Sequence, residues 1–134
     1  MKVNYIEDFQ NWAKDFSFYI EVRVRFSETD MYGHMNNTVS FTYFEQARID
    51  YFRHLGVLMP SAIDENTEGI PIVADLQCDY VKQVFFDDVL RIYAKVAKVG
   101  NSSMDIAVEL AKISKSVRAN YKIFRFFTSK FCRI

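Results

Sequence analysis

The chain has 134 residues, 50% hydrophobic, 25% charged and 16% aromatic, enough apolar material for one globular domain with a real core. Its 17 basic residues balance 17 acidic ones, which removes the strong net field on which a nucleic-acid or membrane-surface partner relies. No apolar run is long enough to cross a bilayer, and Glu7, Asp8 and Asp15 interrupt any signal-peptide pattern, so a soluble cytoplasmic protein is expected.

Met1–Phe16 carries apolar residues at roughly helical spacing (Val3, Ile6, Phe9, Trp12 or Ala13, and Phe16), which predicts a short amphipathic helix or docked arm. Phe18–Phe26 alternates, with Ile20, Val22, Val24 and Phe26 on one side and Tyr19, Glu21, Arg23 and Arg25 on the other. That is a half-buried strand. It runs into a polar cluster, Asp30 to Asn37, after which helical spacing takes over. Asn36 or Asn37 suits the N-cap, and Gly56 sits where a left-handed residue ends a helix. Phe44, Ala47, Tyr51 and Leu55 form the apolar stripe, widened by Phe41 and Phe52, against a narrower polar stripe of Thr42, Gln46, Asp50 and Arg53. A helix apolar over most of its circumference is one wrapped by a sheet.

The acidic loop Leu58–Gly69 follows. Ile72, Ala74, Leu76, Cys78 and Tyr80 then alternate with Val73, Asp75, Gln77 and Asp79 in a second strand, which places Cys78 on its apolar face as a buried thiol. Val89–Val99 and the run around Met104, Ile106, Val108 and Leu110 are two further strands joined by the turn signal Gly100-Asn101-Ser102. Strand, long helix and antiparallel meander together imply an α+β sheet wrapped around one central helix, in a single domain over 1–134. Charge is uneven along it. Residues 1–111 hold 10 Lys/Arg and 17 Asp/Glu, whereas 112–134 hold 7 Lys/Arg and no acid.

The polar cluster is the candidate site. The unpaired N–H groups of a helix's first turn and the positive end of its dipole can polarise a carbonyl or hold an anion. Asp30, just ahead of them, is able to serve as general base or nucleophile, or simply to cap its own loop. His34 fits a helper, a substrate contact or a structural histidine equally well. Two isolated histidines, His34 and His54, and two remote cysteines, Cys78 and Cys132, do not make a metal site.

RFSETDMYGHMNNTVSFTYFEQAR, with DYVKQVFFDDVLRIYAKVAKVGNSS downstream, resembles the hotdog-fold thioesterases of the 4-hydroxybenzoyl-CoA thioesterase type over residues 18–110. The resemblance implies a hotdog fold, a homodimer or homotetramer with active sites between subunits, and hydrolysis of an acyl-CoA thioester without a cofactor, CoA being part of the substrate. It implies catalysis by Asp30; relatives that carry a catalytic His slightly later in the loop match Asn37 here, which weakens an Asp–His dyad and leaves His34 as a helper candidate. Tyr32, Gly33, Asn36 and Asn37 would position the substrate or polarise its carbonyl, the backbone from Gly33 to Asn37 acting as an oxyanion hole does. Glu45 is a second carboxylate candidate, although a Glu45/Arg48 ion pair is the plainer expectation. Lys82, Arg91, Lys95 and Lys98 are the strand-region cations available to CoA phosphates.

Two departures stand out. Gln83 occupies a position where the family often has Pro, and the basic segment 112–134 matches no expected ending. Tyr121–Thr128 is expected to supply the last strand even so, with a frameshifted or truncated end as the alternative origin. Other functions for such a chain are an enoyl-thioester hydratase or dehydratase, which needs an acid/base pair including His, and a non-catalytic acyl-CoA-binding domain.

Overall fold

A computed structural model of the chain describes residues 8, 11, 14–57, 71–80, 82–113 and 121–133, the last stretch by its backbone. The expectations for most of Met1–Phe16 and for the Leu58–Gly69 loop lie outside those residues. In chain order the elements are β1 (Phe18–Arg23), a single 3-10 turn (Phe26–Glu28), α1 (Asn37–Leu55), β2 (Pro71–Tyr80), β3 (Val89–Val99), β4 (Ser103–Ile113) and β5 (Tyr121–Arg133). The strands form one sheet ordered β1-β3-β4-β5-β2, antiparallel throughout. The expected last strand is therefore present and longer than Tyr121–Thr128.

Helix α1 forms where the sequence signals it. Asn36 is the N-cap, its side-chain oxygen accepting from the Thr38 N–H at 3.1 Å. Gly56 ends the helix at φ 70°, a left-handed conformation that costs glycine no Cβ clash. The helix lays Tyr43, Phe44, Ala47 and Phe52 against Leu90, Ile92 and Ala94 of β3 and Ile106, Val108 and Leu110 of β4. Period-2 alternation puts this set on one face of the sheet.

Wrapping is less complete than the apolar stripe implies. Leu55 is 45% exposed and Ile49 37%, while Arg48 is buried and ion-paired at 3.9 Å to Glu45, as the i,i+3 spacing suggests. Burial lowers the Arg48 pKa and the Glu45 carboxylate opposes it. A guanidinium stays charged regardless.

Two strands depart from simple alternation. β1 ends at Arg23, and the chain turns away at Phe26–Glu28, so Phe26 is exposed and rests edge-on against Phe86 instead of facing the core. In β2 the expected inward residues Ile72, Leu76 and Tyr80 are exposed, whereas Val73 and Cys78 pack against the core. Register shifts between Val73 and Asp75 and between Cys78 and Tyr80 account for the change of face, because each irregularity turns the side chains that follow it. Cys78 is thus half-buried.

The face of the sheet away from α1 is covered in part from the N-terminal side. Phe16 packs edge-on to Tyr93 at 6.2 Å, and the Lys95 ammonium sits 4.6 Å from the Phe16 ring centre and 3.8 Å from Asp15. Burial lowers the Lys95 pKa, opposed by the Asp15 and Glu109 carboxylates.

Candidate functional site

The polar cluster folds as a tight loop whose backbone is almost wholly committed. Asp30 N–H donates to the His34 carbonyl at 2.7 Å, and Gly33 N–H donates to the Asp30 carbonyl at 3.1 Å. Asp30 Oδ1 accepts from the N–H groups of Tyr32 at 2.9 Å and His34 at 3.1 Å. The loop needs a left-handed residue to close this way, and Gly33 supplies it at φ 79°.

Neighbouring segments clamp the loop. Met35 N–H donates to the Val84 carbonyl at 2.7 Å, Asn36 N–H to the Glu28 carbonyl at 2.8 Å, and Thr29 bridges Met35. His34, half-buried, pairs by backbone with Phe85 and meets its ring edge-on at 5.1 Å.

These bonds narrow the expected run of donors. From Gly33 to Asn36 each N–H already has a protein acceptor. Asn37, the first helical residue, is the member of the run whose N–H is not taken by another group among the described residues. Its carbonyl is held from two sides, by Ser40 Oγ at 2.6 Å and by the Tyr80 hydroxyl at 2.9 Å. Burial pushes the Tyr80 phenol above its ordinary pKa, with the Ser40 bond opposing, so Tyr80 stays a donor.

A pocket of ≈ 240 Å³ opens at this helix start, lined by Asp30, His34, Met35, Asn37, Tyr80, Lys82, Gln83 and Val84. Of the residues expected at the site, Asp30, His34, Asn37 and Lys82 therefore meet there. Tyr32, Gly33 and Asn36 build the surrounding loop and cap. Tyr32 is 77% exposed.

Glu45 points to solvent on α1 beside Arg48, away from the pocket lining. Arg91 and Lys95 lie on the sheet face opposite the helix, since their register partners are Glu21 and Ala107. Arg91 bonds Glu21 at 2.8 Å and stacks over Tyr19. Lys98 is exposed near the end of β3. Among the described residues no cluster of three or more His, Cys, Asp or Glu is placed to hold a metal ion.

Tyr80 and Gln83 are not distinguishable from the sequence. Tyr80 reads as the last residue of an alternating strand, and Gln83 only as a departure from the family's proline. Pairing of β2 with β5 brings the Tyr80 end to the helix start, a tertiary fact with no local signature.

The thioesterase-like superfamily profile matches residues 24–129, running well into the basic C-terminal segment. Among curated relatives, the uncharacterized protein YsmA of Bacillus subtilis is 49% identical over 98 residues, 73% of this chain and 63% of that protein. The acyl-CoA thioesterase YbgC of Haemophilus influenzae is 28% identical over 90 residues, 67% of this chain and 65% of that protein. The matches thus span under two thirds of either relative. Among solved structures, a mutant 4-hydroxybenzoyl CoA thioesterase complexed with 4-hydroxybenzoyl CoA superposes with a TM-score of 0.76. It is 14% identical, with 87% of this chain and 82% of that one covered, a likeness of hotdog fold.

Proposed function

The chain belongs to the thioesterase-like superfamily, and on that premise we propose that it hydrolyses an acyl-CoA thioester to the free acid and CoA. The observation that carries this reading is that Asp30 and Asn37 line one pocket, the first as a carboxylate and the second as a helix-start N–H. Asp30 Oδ1 is held by two backbone donors, which fixes the carboxylate plane and leaves Oδ2 to act. Oδ2 takes a proton from water as the oxygen attacks the thioester carbon. The carbonyl oxygen, becoming an oxyanion, accepts from Asn37 N–H at the positive end of α1, where removal of one such donor typically costs about 3 kcal/mol. The C–S bond then breaks, and the proton on Asp30 passes to the departing CoA thiolate.

Lys82 lines the same pocket, and in this reading its ammonium meets a CoA phosphate. At ≈ 240 Å³, with polar and apolar lining in nearly equal share, the pocket is smaller than the roughly 300–1,000 Å³ typical for drug-sized ligands, which favours short or single-ring acyl groups. A homodimer formed along the exposed β2 edge belongs to the same reading.

The test is thiol release from short-, medium-, long-chain and aromatic acyl-CoAs. Short and aromatic substrates should exceed palmitoyl-CoA in kcat/KM, and Asp30→Asn should lose ~10²–10⁴-fold in kcat, the usual range for a general base. Full turnover by Asp30→Asn, or no turnover of any acyl-CoA by the wild type, overturns the proposal. A single turnover in ¹⁸O-water should label the acid product and leave Asp30 unlabelled; label in Asp30 would make it the nucleophile instead. His34 on the same pocket supports one competing reading, an enoyl-thioester hydratase. Unimpaired thiol release by His34→Ala would count against it.

A further inference from the structure

We propose that Glu28, outside the pocket, is a positioning residue that sets Asp30 against Asn37 through a bond to Tyr43; this rests on the hydrolase reading above. Glu28 closes the 3-10 turn and engages three separate segments. Its N–H donates to the Arg25 carbonyl at 3.0 Å, and its carboxylate accepts from Arg25 N–H at 2.8 Å, so the turn is locked upstream. Its own carbonyl accepts from Asn36 N–H at 2.8 Å. Glu28 Oε2 also accepts from the Tyr43 hydroxyl, two turns into α1.

Both catalytic partners hang from this one residue. Asp30 lies two residues after Glu28. The Asn37 N–H follows directly on Asn36, which Glu28 holds. Without the Tyr43 bond, the Glu28 turn keeps its backbone bond from Asn36 N–H at the helix start, while Met35 N–H holds the loop to Val84 and not to the helix. The Tyr43 anchor adds a fixed point in the core. Tyr43 is 7% exposed and packs with Phe44 and Ala47, so its hydroxyl cannot follow a drifting loop. Burial and the Glu28 carboxylate raise the phenol's pKa well above its ordinary 10.0, so the proton stays on the donor throughout the working pH range. A hydrogen bond to a carboxylate is roughly twice as strong as a neutral one, and a misplacement of about 1 Å at a reacting centre can cost ~10²-fold in rate.

The chemistry of the bond suggests variants that separate positioning from folding. Tyr43→Phe removes one oxygen and keeps the ring in the core. Glu28→Ala removes the acceptor. Glu28→Gln keeps an oxygen that accepts from both Tyr43 and Arg25. Tyr43→Phe and Glu28→Ala should lower kcat by ~10–100-fold while KM stays within about twofold, and Glu28→Gln should stay within about threefold of the wild type. Amide exchange at Tyr32 and His34, whose N–H groups bond the Asp30 carboxylate, should rise roughly tenfold in the first two variants, with protection in α1 beyond Phe44 unchanged.

Unaltered kcat and unaltered loop exchange in Tyr43→Phe overturn the proposal, as does a loss of protection spread evenly over the molecule. Failure of Glu28→Gln to rescue does so too. Should the wild type release no thiol from any acyl-CoA, the hydrolase reading fails on its own account. The exchange measurement then still decides whether Glu28 and Tyr43 hold the Asp30 loop.

Discussion

Asp30 shows how one carboxylate oxygen can hold a loop while the other stays available for the proposed chemistry. The capping role weighed for it from the sequence is real, since Oδ1 takes the Tyr32 and His34 N–H groups. That does not compete with catalysis, because a carboxylate has two oxygens and the bonds orient the second. What the sequence could not reveal at this scale was which backbone donors the loop itself consumes. That accounting needs the fold, and it reduced five candidate residues to Asn37. Cys78 faces the core as its strand pattern predicts, although it is half-buried and its neighbours Leu76 and Tyr80 are exposed. Burial pushes its thiol from an ordinary 9.0 to about 11, with a Tyr80 hydrogen bond opposing. Since the folded pKa is raised, folding favours the neutral thiol; this contribution is whole below pH 9 and is lost as pH rises through about 11. In a Cys132→Ser background, the rate of alkylation by iodoacetamide, which needs the thiolate, should keep climbing through pH 10. A plateau near pH 9 would show that the thiol is not held as described.

At the scale of elements, the helix and its approach were legible because each end carries a chemical signal, Asn36 before the first turn and Gly56 after the last. These signals depend on backbone groups a few residues away, which a sequence displays directly. β2 was legible in position and misleading in face, since a bulge leaves no mark in an alternating run. The cap itself is open to measurement. Asn36 Oδ1 accepts from both the N–H and the hydroxyl of Thr38, and Asn36 N–H ties the helix to Glu28 by backbone alone. Asn36→Ala should therefore cost about 1 kcal/mol in stability, the usual loss of a cap, a fall in Tm of roughly 3 °C for a domain of this size. The Glu28 contact would survive, so kcat should fall far less than in Tyr43→Phe. Denaturation midpoints and kcat measured on both variants distinguish the two effects; a larger kcat loss in Asn36→Ala would mean that the cap, not the Glu28–Tyr43 bond, places Asn37.

Across the whole molecule, the hardest stretch to read was the ending, and the strand order explains the difficulty. β5 lies between β4 and β2, so partners on both sides define it, and KIFRFFTSKFC has no clean period of two. Register places Lys130 opposite Asp75 on β2 and Asp105 on β4. The backbone register thus sets one basic position of β5 in line with an acidic position on each neighbouring strand. With β5 inside the sheet, β2 becomes an edge, and it presents Ile72 and Leu76, 38% and 43% exposed, along a ten-residue strand. Long apolar edges invite pairing with another chain unless something covers them. A second copy joined through a two-fold axis would present the same edge and extend the sheet. Leu76→Glu should then convert a species of about twice the 15.8 kDa chain mass into one of single mass in sedimentation equilibrium. A wild type that sediments as a single chain, or a Leu76→Glu variant that still pairs, would remove β2 from the interface. Since Tyr80 both ends this strand and holds the Asn37 carbonyl, separation of the copies should also weaken kcat in the Leu76→Glu variant, linking assembly to the pocket through one strand.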